Sequence, residues 1–252
     1  MHTSLCGHAV GTMEEYVQAG IDRGLQKIIF LEHMEEGIDS EYKTWLSDQD
    51  FDDYFNEGKR LQDLYRDRIA VGLGVECGYN PERREDLFAR LQTRQWDQIG
   101  ISCHFLKLRD GGMHLNLFSR REEYVKHAIQ DGVDQLLERY FATLTEAVQY
   151  LPGTMLCHLD GGLRFVPELE LTEGHYKQIE LLLQSVRKKN MAIEVNSSGF
   201  DIRGEQFPNR RILAMAASYD IPLLFGSDAH NPKDVGRYFN DLSELLTPAP
   251  RP

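Results

Sequence analysis

The 252-residue sequence predicts an α/β fold in which parallel strands form a β/α barrel. Helical stretches alternate with short apolar runs along the chain, a pattern typical of parallel strands covered by helices. Most of these runs end on a His, Glu or Asp. The carboxyl ends of barrel strands meet at one mouth, whereas an open sheet would spread these residues along an edge. The sequence therefore favours the barrel.

The predicted elements follow one another in helix–strand pairs. The first helix begins near Thr12, where T-M-E-E has capping-box spacing, and "KIIFLEH" follows it as a strand. The later pairs are "DYFNEGKRLQDLYRD" with "IAVGLGVE", "REDLFARLQTR" with "DQIGISCH", "VDQLLERYFATLTEAVQYL" with "TMLCH", "YKQIELLLQSVRKKN" with "MAIEVN", and "NRRILAMAASYD" with "IPLLFGSDAH". Because no Gly/Ser linker or repeat interrupts them, residues 1–252 are predicted to form a single domain.

The composition restricts the class of partner. A formal net charge of −12 would repel long nucleic acid, and no apolar run approaches the roughly 20 residues of a membrane span. The start also lacks a signal sequence. We therefore expect a cytoplasmic enzyme with a small substrate. The four cysteines are scattered and form no C-x-x-C pair, so they are expected to be free, buried thiols.

Residues that can bind metal ions stand at the predicted strand ends. They are His33, Glu76, His104 and His158, with Asp228 and His230 after the last strand and His2 and His8 near the start. Imidazoles with carboxylates suit zinc, manganese or iron, and eight ligands exceed what one ion uses. We therefore predict two or three divalent metal ions.

This ligand set predicts a hydrolase of phosphate esters. Glu76 can bridge two cations, and a hydroxide held between metals is a nucleophile at neutral pH. The same cations offset negative charge on the oxygens under attack. Glu76 and Asp228 are accordingly the predicted catalytic carboxylates.

The sequence resembles the PHP (polymerase and histidinol phosphatase) superfamily. The stretches "HTSLCGHAVG", "LEHMEE", "GVECGY", "SCHF", "CHLD", "NSSG" and "GSDAHNP" occur in the order and spacing of that family, and look most like its histidinol-phosphate phosphatase branch. The resemblance implies a distorted seven-stranded β/α barrel. It also implies that a metal-bridging hydroxide hydrolyses L-histidinol phosphate, within histidine biosynthesis.

The resemblance further implies how the ligands divide among three metals. One metal would take His2, Glu76 and Asp228, and a second would share Glu76 and add His104 and His158. The third would take His8, His33 and His230.

The sequence departs from the family pattern at its start. Members of the family open with an apolar strand that ends in His-x-His. Here His2 matches the second histidine of that motif, whereas the first histidine and the strand before it have no counterpart. Either translation begins upstream of Met1, or this is a shortened domain with a truncated first strand. We favour the upstream start, because a missing parallel strand would expose edges in a closed sheet.

Further residues are candidates for contacting substrate. Arg164 is the first choice for binding phosphate and Arg203 the second, since both follow strand ends and guanidinium matches phosphate. Asn196 could donate to the substrate or form a turn. Asp160 could orient a ligand or protonate the leaving group. Three histidines outside the pattern are expected at the surface: His114, His127 and His175. His114 follows "RDGG" in the long loop after His104 and could instead face the substrate.

Two other functions remain open. One is a PHP phosphoesterase that acts on nucleotides or another small phosphate ester. The other is a degenerate metal-binding domain without turnover. The chain has Phe200 and Asp201 where the family often has Leu-Arg, which affects the choice of substrate more than the chemistry.

Overall fold

The computed structural model describes residues 1–109 and 111–246, and shows a curled parallel sheet covered by helices. The strands are β1 (Lys27–Glu35), β2 (Ala70–Gly78), β3 (Ile99–Ser102), β4 (Phe105–Lys107), β5 (His114–Asn116), β6 (Met155–Leu156), β7 (Ala192–Asn196) and β8 (Leu223–Gly226). The helices are α1 (Met13–Asp22), α2 (Asp48–Leu64), α3 (Arg84–Leu91), α4 (Glu122–Asp131), α5 (Val133–Tyr150), α6 (Glu173–Lys188), α7 (Gly199–Arg203), α8 (Arg210–Ser218) and α9 (Phe239–Leu246).

Six parallel strands lie side by side in chain order, β1-β2-β3-β6-β7-β8, so their carboxyl ends share one edge. The short strands β4 and β5 form a separate antiparallel hairpin in the loop that follows β3. This arrangement confirms the predicted alternation of helix and strand. It also brings the loops that carry the candidate ligands to one mouth.

Local sequence signals explain where the helices begin. Thr12 caps α1 in the predicted capping box with Glu15, and Ser47 caps α2 in the same way. The helices pack apolar side chains against the outer face of the sheet in a large buried cluster. A second, smaller cluster, which includes Leu31 and Met155, is separate from the first. Side chains alternate along a strand, so Leu31 shares the face of β1 that carries His33.

The sheet is open between β8 and β1, and the amino-terminal residues cross this opening near the mouth. The His2 amide donates to Ala229 O at 2.9 Å, and the Leu31 amide of β1 donates to Met1 O at 3.0 Å. Residues 1–3 thus hydrogen-bond on both sides without forming a regular strand. The described residues form six strands in the parallel sheet, and the predicted seventh is not among them.

The burial of the cysteines and histidines tests further predictions made from the sequence. All four cysteines are free and buried, as predicted. The prediction of three surface histidines holds for His127 but is wrong for His114 and His175. His114 Nδ1 accepts a hydrogen bond from the Asp39 amide, and His175 Nδ1 accepts one from the Thr172 amide at the start of α6. No helix in the described ranges is long and apolar enough to cross a membrane.

Candidate metal centre

Glu76, near the carboxyl end of β2, lies at the middle of the site. Its Oε1 is 2.8 Å from Nε2 of His104 and 2.8 Å from Nε2 of His158, while its Oε2 is 3.2 Å from Nε2 of His2. The side chain is nearly completely buried. Each carboxylate oxygen therefore faces a different set of imidazoles, which is the geometry required of a bridging ligand.

Asp228 lies beside Glu76, in the segment that follows β8. Its Oδ1 is 3.3 Å from His2 Nε2 and 3.6 Å from His230 Nδ1. His158 and Asp228 both have positive φ, at 21° and 44°. Such backbone conformations are costly for residues other than glycine and occur preferentially at functional sites.

The remaining histidines complete one continuous cluster. His33 stacks on His2 with ring centroids 4.0 Å apart and meets His104 edge to face at 4.9 Å. His8 Nε2 lies 3.0 Å from His230 Nε2. The structure therefore brings all eight predicted ligands together, although they come from the amino terminus, from the carboxyl-terminal parts of β1 and β2, and from segments that follow β3, β6 and β8.

Thr3 anchors the amino-terminal ligand to β1. Its amide and its hydroxyl donate to Glu32 Oε1 at 2.8 and 2.6 Å, and both residues are completely buried. Ser4–Cys6 then form a 3-10 turn that ends at Gly7, where φ is 74°. This left-handed residue redirects the chain toward His8.

The protonation states follow from burial and neighbouring charge. Burial disfavours the charged carboxylate of Glu76, but His158 and His104 outweigh burial and hold its pKa well below the ordinary range. Burial, followed by the charge on His2, lowers the pKa of His8 to about 4 and that of His230 to about 3. Both imidazoles are therefore neutral at pH 7, the form that binds metal ions.

The donor set fits divalent metal ions. Three groups of ligand atoms each lie within 4.8 Å of one another: His2, His33 and His230; His33, Glu76 and His104; and His2, Glu76 and Asp228. Nδ1 of His2 and of His158 is buried and has no hydrogen-bond partner. Buried imidazoles and carboxylates without thiolates suit zinc and similar ions rather than calcium or magnesium.

Two buried carboxylates around the ligands were missed by the sequence reasoning. Glu35 Oε1 lies 2.7 Å from His104 Nδ1, and Glu194 Oε2 accepts a hydrogen bond of 2.9 Å from the His158 amide. A carboxylate on the second ring nitrogen, as Glu35 is, fixes the orientation of a metal-binding histidine, whereas Glu194 fixes the backbone at His158. A signal was present, because Glu194 interrupts the apolar strand "MAIEVN".

Each of these carboxylates occupies space left by a glycine on the neighbouring strand. A Cβ on Gly78 would overlap the Glu35 carboxylate, and a Cβ on Gly226 would lie 2.7 Å from the carboxyl carbon of Glu194. Both glycines are the last residue of their strand. The missing side chains thus allow a buried carboxylate to reach the ligand histidines.

Arg164 lies against the metal centre. Its Nη1 is 3.8 Å from Asp228 Oδ2, and its guanidinium carbon lies 4.9 Å from the centroid of the Phe118 ring. Nε and Nη1 are buried and have no hydrogen-bond partner. A guanidinium so placed has free donors for an anion, which agrees with the role predicted for it.

Asn196 is the predicted substrate residue least available for binding. Its side chain is fully buried, donates from Nδ2 to Glu194 Oε2 at 3.0 Å and accepts at Oδ1 from the Ser198 amide at 2.9 Å. Both ends of the amide are therefore engaged within the fold. Asn196 therefore forms the turn that leads to Ser198. It also donates a hydrogen bond to Glu194, whose carboxylate accepts from the His158 amide.

Two cavities lie on either side of Arg164 and Phe165. The first, the metal cavity, has a volume of about 720 Å³ and is lined by ligands that include His8, His33, His104 and Asp228. The second cavity, of about 870 Å³, is lined by Asp160 and Arg203 but by none of the eight ligands. Asp160 Oδ2 accepts from the Asn209 amide at 3.0 Å. In the described part of the chain, Asp160 has no hydrogen bond or ion pair with the ligands.

Comparison with known proteins gives a family match over most of the chain. Residues 1–198 match the family described as "PHP domain", and residues 206–247 match the one described as "PHP-associated". The chain is 28% identical over 248 residues to a Deinococcus radiodurans protein named "Probable histidinol-phosphatase", covering 96% of this chain and 88% of that protein. It is 23% identical to the histidinol-phosphatase of Bacillus subtilis, covering 97% of each.

A solved structure shows the same fold. The histidinol phosphate phosphatase of Lactococcus lactis, crystallised with zinc, L-histidinol and phosphate, superposes with a TM-score of 0.77. The match covers 98% of this chain and 92% of that one, at 19% sequence identity.

Proposed function

The chain belongs to the PHP domain family, and on that premise we propose that it is a metal-dependent phosphomonoesterase that hydrolyses L-histidinol phosphate. The observation that carries the proposal is the position of Glu76, which faces His104 and His158 with one oxygen and His2 with the other. Relatives named for histidinol phosphatase, which match 96–97% of this chain, support the choice of substrate.

We assign the ligands to three ions. The first would be held by His2, Glu76 and Asp228, whose ligand atoms lie within 4.8 Å of one another. The second would share Glu76 and add His104 and His158, and the third would be held by the neutral imidazoles His8, His33 and His230. When bound, such ions supply a water of lowered pKa as nucleophile and positive charge for the phosphate oxygens.

Other side chains around the ligands would bind the phosphate or hold the ligands in position. Arg164 directs its free Nε–H and Nη1–H groups at the phosphate, beside Asp228. Glu35 orients the imidazole of His104, and Glu194 holds the backbone at His158, so that these residues need not reorganise during turnover. Phe118 covers the guanidinium of Arg164 and limits the access of water to it.

The proposal is tested by assaying phosphate release from L-histidinol phosphate and AMP after loading the protein with zinc or manganese. Metal content is measured in the same sample. We expect two or three ions per chain and a higher kcat/KM for L-histidinol phosphate than for AMP. Glu76→Gln removes the charge of the bridging ligand and should lower the activity by about a hundredfold or more.

Three other outcomes of these assays would contradict the proposal. Preference for AMP would assign the site to nucleotides and overturn the substrate. Full metal occupancy without phosphate release from either ester would contradict the phosphatase. Failure to retain any metal would support a domain without turnover.

A further inference from the structure

Two loops that carry basic residues border the metal cavity. The first, residues 40–44, lies between β1 and α2, and the second, residues 118–121, lies between β5 and α4. Together they bring three exposed basic side chains to the cavity, which we call the basic rim: Lys43, Arg120 and Arg121. The basic rim includes none of the eight candidate metal ligands.

The first loop is held by hydrogen bonds on both sides. Before it, the His114 amide donates to Asp39 O at 3.2 Å, and His114 Nδ1 accepts from the Asp39 amide at 3.1 Å. After it, the Leu46 amide donates to His33 O at 3.0 Å. The segment that carries the first basic residue is therefore fixed both to the hairpin and to β1.

The second loop is fixed at its start and joined to the first. The Leu117 amide donates to His104 O at 2.8 Å. The guanidinium carbon of Arg121 lies 3.5 Å from the centroid of the Tyr42 ring, a cation–π contact between the two loops. The positive charges of the basic rim are thus held beside the metal cavity by contacts that exist before any ligand binds.

Most of the positive charge of the basic rim has no acidic partner. Arg121 Nη1 lies 3.8 Å from Glu123 Oε1, a contact between two exposed groups that neutralises little of the charge. Within residues 1–109 and 111–246, Lys43 and Arg120 form no ion pair. Both side chains are therefore free to attract an anion that approaches the cavity.

The charge balance of the metal cavity is opposite to that of the whole chain. The chain has 28 basic and 40 acidic residues, with a net charge of −12. Besides its histidines, the cavity is lined by more basic than acidic side chains: Lys43, Arg120, Arg121 and Arg164 against Glu41 and Asp228. A phosphate monoester is close to a dianion at pH 7, so the protein as a whole repels it. A local field of the opposite sign would overcome this repulsion at the cavity.

We propose that the basic rim is an outer anion-binding site that draws phosphate esters into the metal cavity. Lys43 and Arg120 supply the unpaired charge, and Arg121 joins the two loops through Tyr42. This inference rests on the proposed function and deepens it, because it assigns the capture of the substrate's phosphate to residues outside the metal centre. The same charges should attract inorganic phosphate, the product.

The test reverses two charges at the basic rim and, separately, two charges at the other end of the sheet. The rim variant carries Lys43→Glu and Arg120→Glu. The control variant carries Lys27→Glu and Arg68→Glu, two exposed positions at the start of β1 and before β2, outside both cavities. Both variants change the net charge by the same amount. A difference between them therefore reports the position of the charge.

The kcat/KM for L-histidinol phosphate is measured on the metal-loaded proteins at two salt concentrations. These are about 0.01 M and about 1 M, where the Debye length is about 30 Å and about 3 Å. Focused fields change association rates by about 10–1,000-fold, so the rim variant should lose about tenfold or more of its kcat/KM relative to the control at low salt. The loss should shrink at high salt, while kcat stays near that of the wild type.

Several outcomes would overturn the proposal. They are an equal loss in the control variant, a loss that does not depend on salt, and a fall confined to kcat. If the rim variant holds less metal than the wild type, the neutral variants Lys43→Gln and Arg120→Gln take its place. Each should show a smaller loss with the same dependence on salt, and no loss in either would contradict the proposal.

Failure of the proposed function is distinguished by a binding measurement without turnover. The metal-loaded wild-type, rim and control proteins are titrated with inorganic phosphate by calorimetry at both salt concentrations. Weaker binding to the rim variant than to the control at low salt, with a smaller difference at high salt, would support the basic rim even if no ester were hydrolysed. Equal binding to both variants at low salt, or none to the wild type, would contradict it.

Discussion

Replacing Gly226 with alanine is expected to destabilise the protein and disturb the metal centre, because Gly226 leaves the space that Glu194 occupies. A Cβ at this position would lie 2.7 Å from the carboxyl carbon of Glu194, well inside the optimal separation of about 3.5–4.0 Å between carbon atoms. The carboxylate is not free to withdraw. Its Oε2 accepts hydrogen bonds of 2.9 Å from the His158 amide and 3.0 Å from Asn196 Nδ2, and all these groups are buried.

The magnitude follows from those two hydrogen bonds. Bonds to a charged group contribute about 1.5–3 kcal/mol each, so displacing the Glu194 carboxylate should lower the free energy of unfolding by about 3–6 kcal/mol. For a chain of this size, 1 kcal/mol shifts the melting temperature by about 2–4 °C. We therefore expect the melting temperature to fall by about 6 °C or more. His158 should also bind its ion less tightly, since Glu194 fixes its amide.

The assay combines urea unfolding with measurement of bound metal. Gly174→Ala is the matched control, because a Cβ there meets its nearest atom, Thr172 Oγ1, at 3.4 Å in the first turn of α6. Alanine is favoured over glycine in helices by about 0.8–1 kcal/mol, so this variant should be at least as stable as the wild type. The reasoning is refuted if Gly226→Ala unfolds within about 1 kcal/mol of the wild type, the size of one ordinary hydrogen bond, and retains its metal.

Three further predictions concern the ions and the buried carboxylates. Glu35→Gln replaces the carboxyl group that contacts His104 Nδ1 and should weaken metal binding about 10–100-fold. Competition with a chelator measures the affinity, and an unchanged affinity would contradict the role of Glu35. Removing the ions with EDTA should abolish phosphatase activity and lower the melting temperature, because buried carboxylates lose their counter-charge, and zinc should restore both; full activity in a verified metal-free sample would show that the ions are unnecessary. The raised pKa of Asp160, about 6, means that its protonated form stabilises the fold at low pH, and that this contribution is lost as the pH rises through 6. The stability of Asp160→Asn relative to the wild type should therefore be up to about 3 kcal/mol greater at pH 7.5 than at pH 4. Urea unfolding of both proteins at the two pH values measures this change. An equal difference in stability at the two pH values would argue against a raised pKa of Asp160.

Much of the metal centre could be predicted from the sequence because it depends on regular structure. His33, Glu76 and His158 each stand at or just after the end of an apolar run. Parallel strands in chain order bring such ends to one edge whatever the loops do. The clustering of the eight candidate ligands could therefore be predicted without knowing any loop conformation.

The surrounding residues could not be predicted in this way. Arg203 and Asp160 both follow strand ends, yet they line the second cavity rather than the metal cavity. Their positions depend on the path of the loop after β6 and on the placement of α7 after β7, and hydrophobic periodicity does not encode either of them. The burial of His114 and His175 also depends on tertiary contacts, and each imidazole accepts a hydrogen bond from a backbone amide within the fold.

The sequence by itself determined the alternation of strands and helices and which eight residues are candidate metal ligands, because apolar periodicity and strand termini are local properties of the chain. Only the tertiary structure decided that residues 1–3 cross the opening between β8 and β1. It also decided that Gly78 and Gly226 make room for Glu35 and Glu194. These features depend on which atoms of neighbouring strands and loops come into contact, and that is fixed by packing in three dimensions rather than by any pattern along one strand.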